Sequence, residues 1–238
     1  MLIPVEVTAA REKFKLPPLP PAEAYGNILI NRTSTKNGVF AATFSHWSHR
    51  LKYTCSVCHM ELGFSMALNA TEITEEGNRN GEYCGACHDG KITFGHTKDN
   101  CEKCHNSNIA YGKEKFSVTK DLPKTPFGNK IDWVRAMDDG LISPKKYLYD
   151  TAKPIKYEKH LVLEAEWAMI PSAIFPHKSH VQWLDCSNCH PDIFNIKKKT
   201  TKHFSMMYIL DNKFCGVCHG KVAFPNDDCV RCHPDMRP

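Results

Sequence analysis

No apolar run in this 238-residue chain approaches the roughly 20 residues needed to cross a bilayer, and the elements its hydrophobic pattern predicts are short. Gly26-Asn27-Ile28-Leu29-Ile30-Asn31-Arg32 reads as a strand, turned by Lys36-Asn37-Gly38 into Val39-Phe40. Asp132 to Gly140 reads as a two-turn helix, capped by Asp132 and stopped at Gly140, with Trp133 and Met137 packing from one face. Leu16-Pro17-Pro18-Leu19-Pro20-Pro21 favours an extended polyproline arm. With 13 glycines, 15 prolines and 42% hydrophobic residues, the chain has the make-up of a loop-rich fold with little aliphatic core.

The cysteines change the picture. All 12 fall in six Cys-x-x-Cys-His motifs: Cys55/Cys58/His59, Cys84/Cys87/His88, Cys101/Cys104/His105, Cys186/Cys189/His190, Cys215/Cys218/His219 and Cys229/Cys232/His233. Each is the attachment signature of a c-type haem, with the thiols as thioether tethers and the histidine as one axial ligand to iron. Structural zinc needs four ligands and no histidine after every pair; a disulfide framework does not need that histidine either. Six covalently bound haem c groups, about one per 40 residues, would then supply the apolar filling that the chain lacks.

Haem also revises the charge. The formal net charge is +5, but twelve propionates and six ferric centres would bring it to about −1, and to about −7 on reduction. The basic sequence thus compensates haem carboxylates, and nucleic acid is not an expected partner. Lys197-Lys198-Lys199, the compact basic run, reads as a solvated face. Met1-Leu2-Ile3-Pro4-Val5 is too short and uncharged for a leader. Because c-type haem is attached outside the cytoplasm, an export signal is expected to have been removed, and the location to be periplasmic, outer-surface or extracellular.

An internal repeat organises the chain. Phe44-Ser45-His46-Trp47-Ser48-His49 returns 131 residues later as Phe175-Pro176-His177-Lys178-Ser179-His180, and the same offset relates the first two motifs of each half. The third motifs follow at an offset of 128. The expected plan is an arm at 1–25, a triheme module at 26–111, a linker with a short helix at 112–171 and a second module at 172–238. The fold class is loop-rich: short α-helices and a small β-hairpin per module, packed around six haems.

Seven further histidines (His46, His49, His96, His160, His177, His180 and His203) are available for the sixth coordination positions. His46 with His49, and His177 with His180, stand three apart, so each pair would share a helix face and serve two neighbouring irons. For the third haem of module one the candidates are Met66 and His96. For module two they are His203, Met206 and Met207. His160 is a spare on the linker.

Phe-x-His-x-x-His ahead of the first motif resembles the class III (c3/c7-type) cytochromes c. Cys-Gly-x-Cys-His followed by Gly-Lys-x-x-Phe before a third motif is similar to the triheme c7-type repeats of metal-reducing bacteria. The resemblance implies partnering of His49 with His59, His46 with His88, His180 with His190 and His177 with His219. Some tandem members of the family place Met on the third haem, which favours Met206 opposite His233, then His203. In module one the position matching Met206 is Glu75, leaving Met66 or His96 opposite His105.

The expected function is a hexahaem c-type cytochrome moving single electrons along closely spaced haems, not an enzyme. It would serve extracytoplasmic respiration, or form the cytochrome subunit of a redox complex or filament. Expected partners are redox proteins, either cytochromes or a membrane quinone-oxidoreductase complex, and other copies of the chain in an oligomer or filament. The alternative is a multihaem reductase acting on nitrite, hydroxylamine or sulfite, which would require one open-coordinate haem.

Overall fold

The computed structural model describes residues 16, 18–148, 155–164, 170–195 and 205–236. His203, Lys197-Lys198-Lys199 and most of the N-terminal arm lie outside them. Strand β1 (Asn27–Ile30) pairs antiparallel with β2 (Ala42–Ser45), Asn27 opposite Ser45 and Ile30 opposite Ala42. The return strand therefore starts later than Val39-Phe40, the pair expected to form it. Gly38, at φ 68°, ends a single 3-10 turn, and the residues after it bond to the third motif instead. Ala41 exchanges bonds with Ser107, and the Phe40 carbonyl is taken by His105.

Helix α1 (His46–Arg50) leaves β2 directly and carries the first histidine pair. Helix α2 (Glu75–Arg79) is capped by Thr74, whose hydroxyl accepts from the Gly77 N–H at 3.0 Å. A 3-10 turn over Tyr83–Ala86 then brings in the second motif. A Cβ on Gly85 would stand 1.8 Å from the Asn78 carbonyl oxygen, so only glycine fits beneath α2. Helix α3 (Cys101–Cys104) is the third motif itself.

The linker helix is α4 (Trp133–Asp138), capped as expected: the Asp132 carboxylate accepts from the Arg135 N–H at 3.1 Å, and Gly140 follows at φ 69°. Trp133 and Ala136 are buried with Ile131 and Ile142 against Trp47 of module one and Trp183 of module two, with Met137 packed on the cluster. The linker is thus a wedge that joins the modules.

Module two repeats the plan. Strand β3 (His160–Leu163) pairs with β4 (Ala173–Pro176), then come α5 (His177–Trp183), α6 (Met206–Leu210) and α7 (Cys229–Cys232). Gly216 lies under α6 as Gly85 lies under α2, 1.9 Å from the Ile209 carbonyl by the same construction. Because β3 falls inside 112–171, a boundary at 172 cuts this hairpin; the end of the linker builds module two. His160 is an exposed residue of that strand, opposite Pro176.

The modules touch through polar bonds around the tryptophan cluster. The Tyr25 hydroxyl donates to the Ala223 carbonyl at 2.6 Å, Ser56 to the Trp183 carbonyl at 3.3 Å, and the Asn188 amide to the His59 carbonyl at 3.2 Å. Arg231 pairs with Asp132 at 3.7 Å and with Asp228 at 2.7 Å. Only nine hydrophobic side chains among the described residues are buried, too few for a conventional core, so the inter-module cluster carries unusual weight. Trp133→Ala is expected to destabilise the protein by about 3–5 kcal/mol, measured by denaturant unfolding.

Candidate functional site

Ten histidines share one local device. Each directs Nδ1 at a backbone carbonyl, and because a carbonyl can only accept, Nδ1 carries the proton and Nε2 keeps a free lone pair. In the first two motifs of each module the acceptor lies just downstream: Phe64 for His59 (3.0 Å), Phe94 for His88 (3.1 Å), Phe194 for His190 (2.6 Å) and Phe224 for His219 (3.1 Å). In the third motifs it lies across on the hairpin connection: Phe40 for His105 (2.8 Å) and Pro171 for His233 (2.7 Å).

The helix pairs follow the same logic. His46 donates to Gly26 at 2.7 Å and His177 to Lys159 at 3.0 Å, in each case the residue just before the hairpin's first strand. His49 and His180 donate four residues back, to Ser45 and Pro176, each at 2.8 Å. The aromatic residue of the Phe-x-His-x-x-His pattern stacks on the second histidine: Phe44 on His49 at 4.4 Å and Phe175 on His180 at 4.2 Å between centroids.

Three ring pairs face each other: His46 and His59 at 6.4 Å, His49 and His88 at 6.3 Å, and His180 and His219 at 6.2 Å between centroids. Two imidazoles bound end-on to one metal at about 2.0–2.1 Å per bond have centroids about 6 Å apart, so these spacings fit an axial pair. The resemblance implied His49 with His59 and His46 with His88, whereas the rings that face each other are His46 with His59 and His49 with His88. Gly26 holds His46 towards the first motif, and the second histidine, one turn on, reaches the second motif. Three-residue spacing fixes a shared face, not which motif each ring meets.

The remaining candidates separate by position. His96 and Met66 both line the large cavity described below. His96 has no Nδ1–carbonyl bond and lies beside His88, which already faces His49. Met66 opens a loop tied to the first hairpin, with Asn69 and Asn31 bonded at 2.7 Å and the Thr33 hydroxyl donating to the Ile73 carbonyl at 2.5 Å. That hairpin connection also supplies the Phe40 carbonyl to His105. Glu75, in an ion pair with Arg79 at 2.7 Å, is a surface residue of α2. Met206 is half-buried at the start of α6, whereas Met207 is 67% exposed.

A continuous cavity of about 2630 Å³ runs through both modules, with cysteines from all six motifs on its wall. Its volume is several times the roughly 300–1,000 Å³ of a single-ligand pocket. Among the described residues no three His, Cys, Asp or Glu side chains converge on one ion, so the thiol pairs stand as separate tethers along a wall. Burial lowers His46 to about 3 and His219 to about 4, holding both rings in the neutral form that ligates metal. Burial likewise pushes the Cys58, Cys215 and Cys218 thiols up to about 12.

Imidazoles facing one another at a two-bond spacing, along a cavity walled by paired thiols, are the arrangement of a multihaem c-type cytochrome. The family profile of cytochrome c7 and related cytochrome c matches residues 42–106 and 173–234. The chain belongs to that family, and its cofactor is haem c. Among solved structures it is similar to the C-terminal hexahaem fragment of GSU1996, at 28% identity over 92% of this chain and 100% of that one, with a TM-score of 0.29. The dodecahaem cytochrome c GSU1996 matches at 27% identity over 91% of this chain and 49% of its own length, with a TM-score of 0.29. The N-terminal hexahaem fragment matches at 23% identity over 89% and 99%, also with a TM-score of 0.29. No curated protein matches.

The reversed partnering is directly measurable. His49→Ala is expected to open the haem at Cys84/Cys87, and His46→Ala the haem at Cys55/Cys58. Each variant should show a high-spin ferric EPR signal, assigned to its haem by NMR of the haem methyl groups.

Proposed function

We propose that this chain is a hexahaem electron carrier, working in extracytoplasmic respiration or as the cytochrome subunit of a redox complex. Haem iron supplies a one-electron couple. The chain's residues hold and tune it: twelve cysteines tether, six motif histidines ligate, and His46, His49, His177 and His180 close the opposite positions. The observation that carries the reading is the Nδ1–H bond to a backbone carbonyl at all ten of these histidines. Such a bond orients the ring and raises the basicity of Nε2, and a second imidazole so oriented opposite the first makes a closed, low-spin site rather than an open catalytic one.

By the module repeat, His177 partners His190, completing four bis-imidazole sites. For the third haems the reading takes Met66 opposite His105 and Met206 opposite His233. Thioether ligation raises the potential above that of bis-imidazole neighbours, so each module contains an energetic step. Val39 and Phe40, 44% and 70% exposed beside the carbonyl that orients His105, offer an apolar contact to a redox partner at the end of module one.

Low-temperature EPR with near-infrared magnetic circular dichroism of the oxidised protein tests the reading. Six low-spin irons, four bis-histidine and two histidine–methionine, are expected. A stoichiometric high-spin signal would instead favour a multihaem reductase. For the third haem of module one, Met66→His is expected to lower its potential and to remove one histidine–methionine band, whereas His96→Ala leaves both unchanged. Redox titration with the same spectroscopy checks this.

A further inference from the structure

Arg50 ends α1 one turn after His46. Its guanidinium lies 5.2 Å from the Trp133 ring and 5.7 Å from Trp183, and it donates to the Val222 carbonyl at 2.8 Å. The Val222 and Ala223 N–H groups donate in turn to the Cys218 carbonyl, at 3.1 and 3.0 Å. On the other side, Cys55 packs against the same tryptophan cluster. Gly26 separates the two halves by a single residue: a Cβ there would be 3.8 Å from the His46 Cβ and 4.0 Å from the Val222 Cα. Arg50 therefore lies between the first motif of module one and the second motif of module two. The motifs adjacent in sequence across the linker, at Cys101/Cys104 and Cys186/Cys189, share none of these bonds with each other; the Cys186/Cys189 motif meets the first motif instead, through Asn188 and the His59 carbonyl at 3.2 Å.

Arginine stays protonated in proteins, so Arg50 is a fixed cation at this junction. Through its bond to the Val222 carbonyl and the Gly26 contact, its charge lies close to both sites. Half-buried against the two tryptophans, that charge is less screened than one on the open surface.

We propose that electrons cross between the modules from the haem at Cys55/Cys58 to the haem at Cys215/Cys218, and that Arg50 holds this pair at a higher potential than the other bis-imidazole haems. Oxidation adds a positive charge to the site, so a fixed cation beside it favours the reduced state. The electron leaving one iron arrives at the other, and no proton or outside oxidant is required. The inference rests on the carrier reading, but the potentials can be read whether or not the protein serves a partner.

An NMR-monitored redox titration of the haem-loaded protein, with each haem assigned, tests it. In Arg50→Gln the reduced-to-oxidised ratio of these two haems at fixed potential should fall about tenfold, 59 mV for one electron, while the other four stay within about twofold. Arg50→Lys keeps the charge and should leave all six within about twofold. A uniform shift, a shift confined to other haems, or a lysine variant that behaves like the glutamine one overturns the proposal. The parent protein decides it without any variant: these two should be the last of the four bis-imidazole haems to oxidise. If either of the other two outlasts them, the proposal fails.

Discussion

A neutral imidazole ligates a metal through whichever ring nitrogen lacks the proton, and much of this fold goes to fixing that choice. Ten carbonyls are presented to ten Nδ1–H groups, and the acceptors come from wherever the backbone can be made rigid. For His49 and His180 that is the end of a strand; for His59 and His219 it is the loop after the motif; for His105 and His233 it is the connection of a hairpin. The two small sheets bury little and would be marginal alone. Their purpose is positional: Gly26 before β1 and Phe40 before β2 hold histidines from different parts of one module.

The covalent chemistry and the repeat were legible in the sequence because they reside in residue identity. Cys-x-x-Cys-His cannot drift in spacing, and the 131-residue offset maps β2 onto β4, α1 onto the start of α5, and α2 onto α6. The helix at Trp133 was equally readable from its cap and its glycine stop. What escaped was set by backbone atoms, which carry no residue label. The partnering of His46 and His49 depends on where Gly26 anchors the first ring. Strand β3 was hidden because the linker does not repeat module one in sequence. Its alternation, exposed His160 and Val162 against half-buried Leu161 and Leu163, was the available signal. The phenylalanine four to six residues after each of the first two motifs in both modules hinted at the carbonyl acceptors.

The division of apolar material follows from composition. Trp47, Trp133 and Trp183 are spent where the two modules and the linker meet, and two of their N–H groups are satisfied there: Trp47 donates to the Glu23 carbonyl at 3.0 Å and Trp133 to the Asn129 side chain at 3.1 Å. The cavity wall runs from these tryptophans into each module over thiols, imidazoles, phenylalanines and aliphatic groups, surfaces suited to a flat aromatic guest. Haem held along that wall would supply the apolar filling that the nine buried hydrophobic side chains among the described residues do not.

Helix α1 is barely more than one turn long, yet it carries a ring for each of the first two motifs. Three residues of helix rise by about 4.5 Å, and that rise is among the least deformable lengths a polypeptide has. The two metal positions that His46 and His49 would serve are therefore ruled off against a common scale. The two positions travel together. Spacing inside the pair is a property of peptide geometry, insulated from the thermal motion of everything around it.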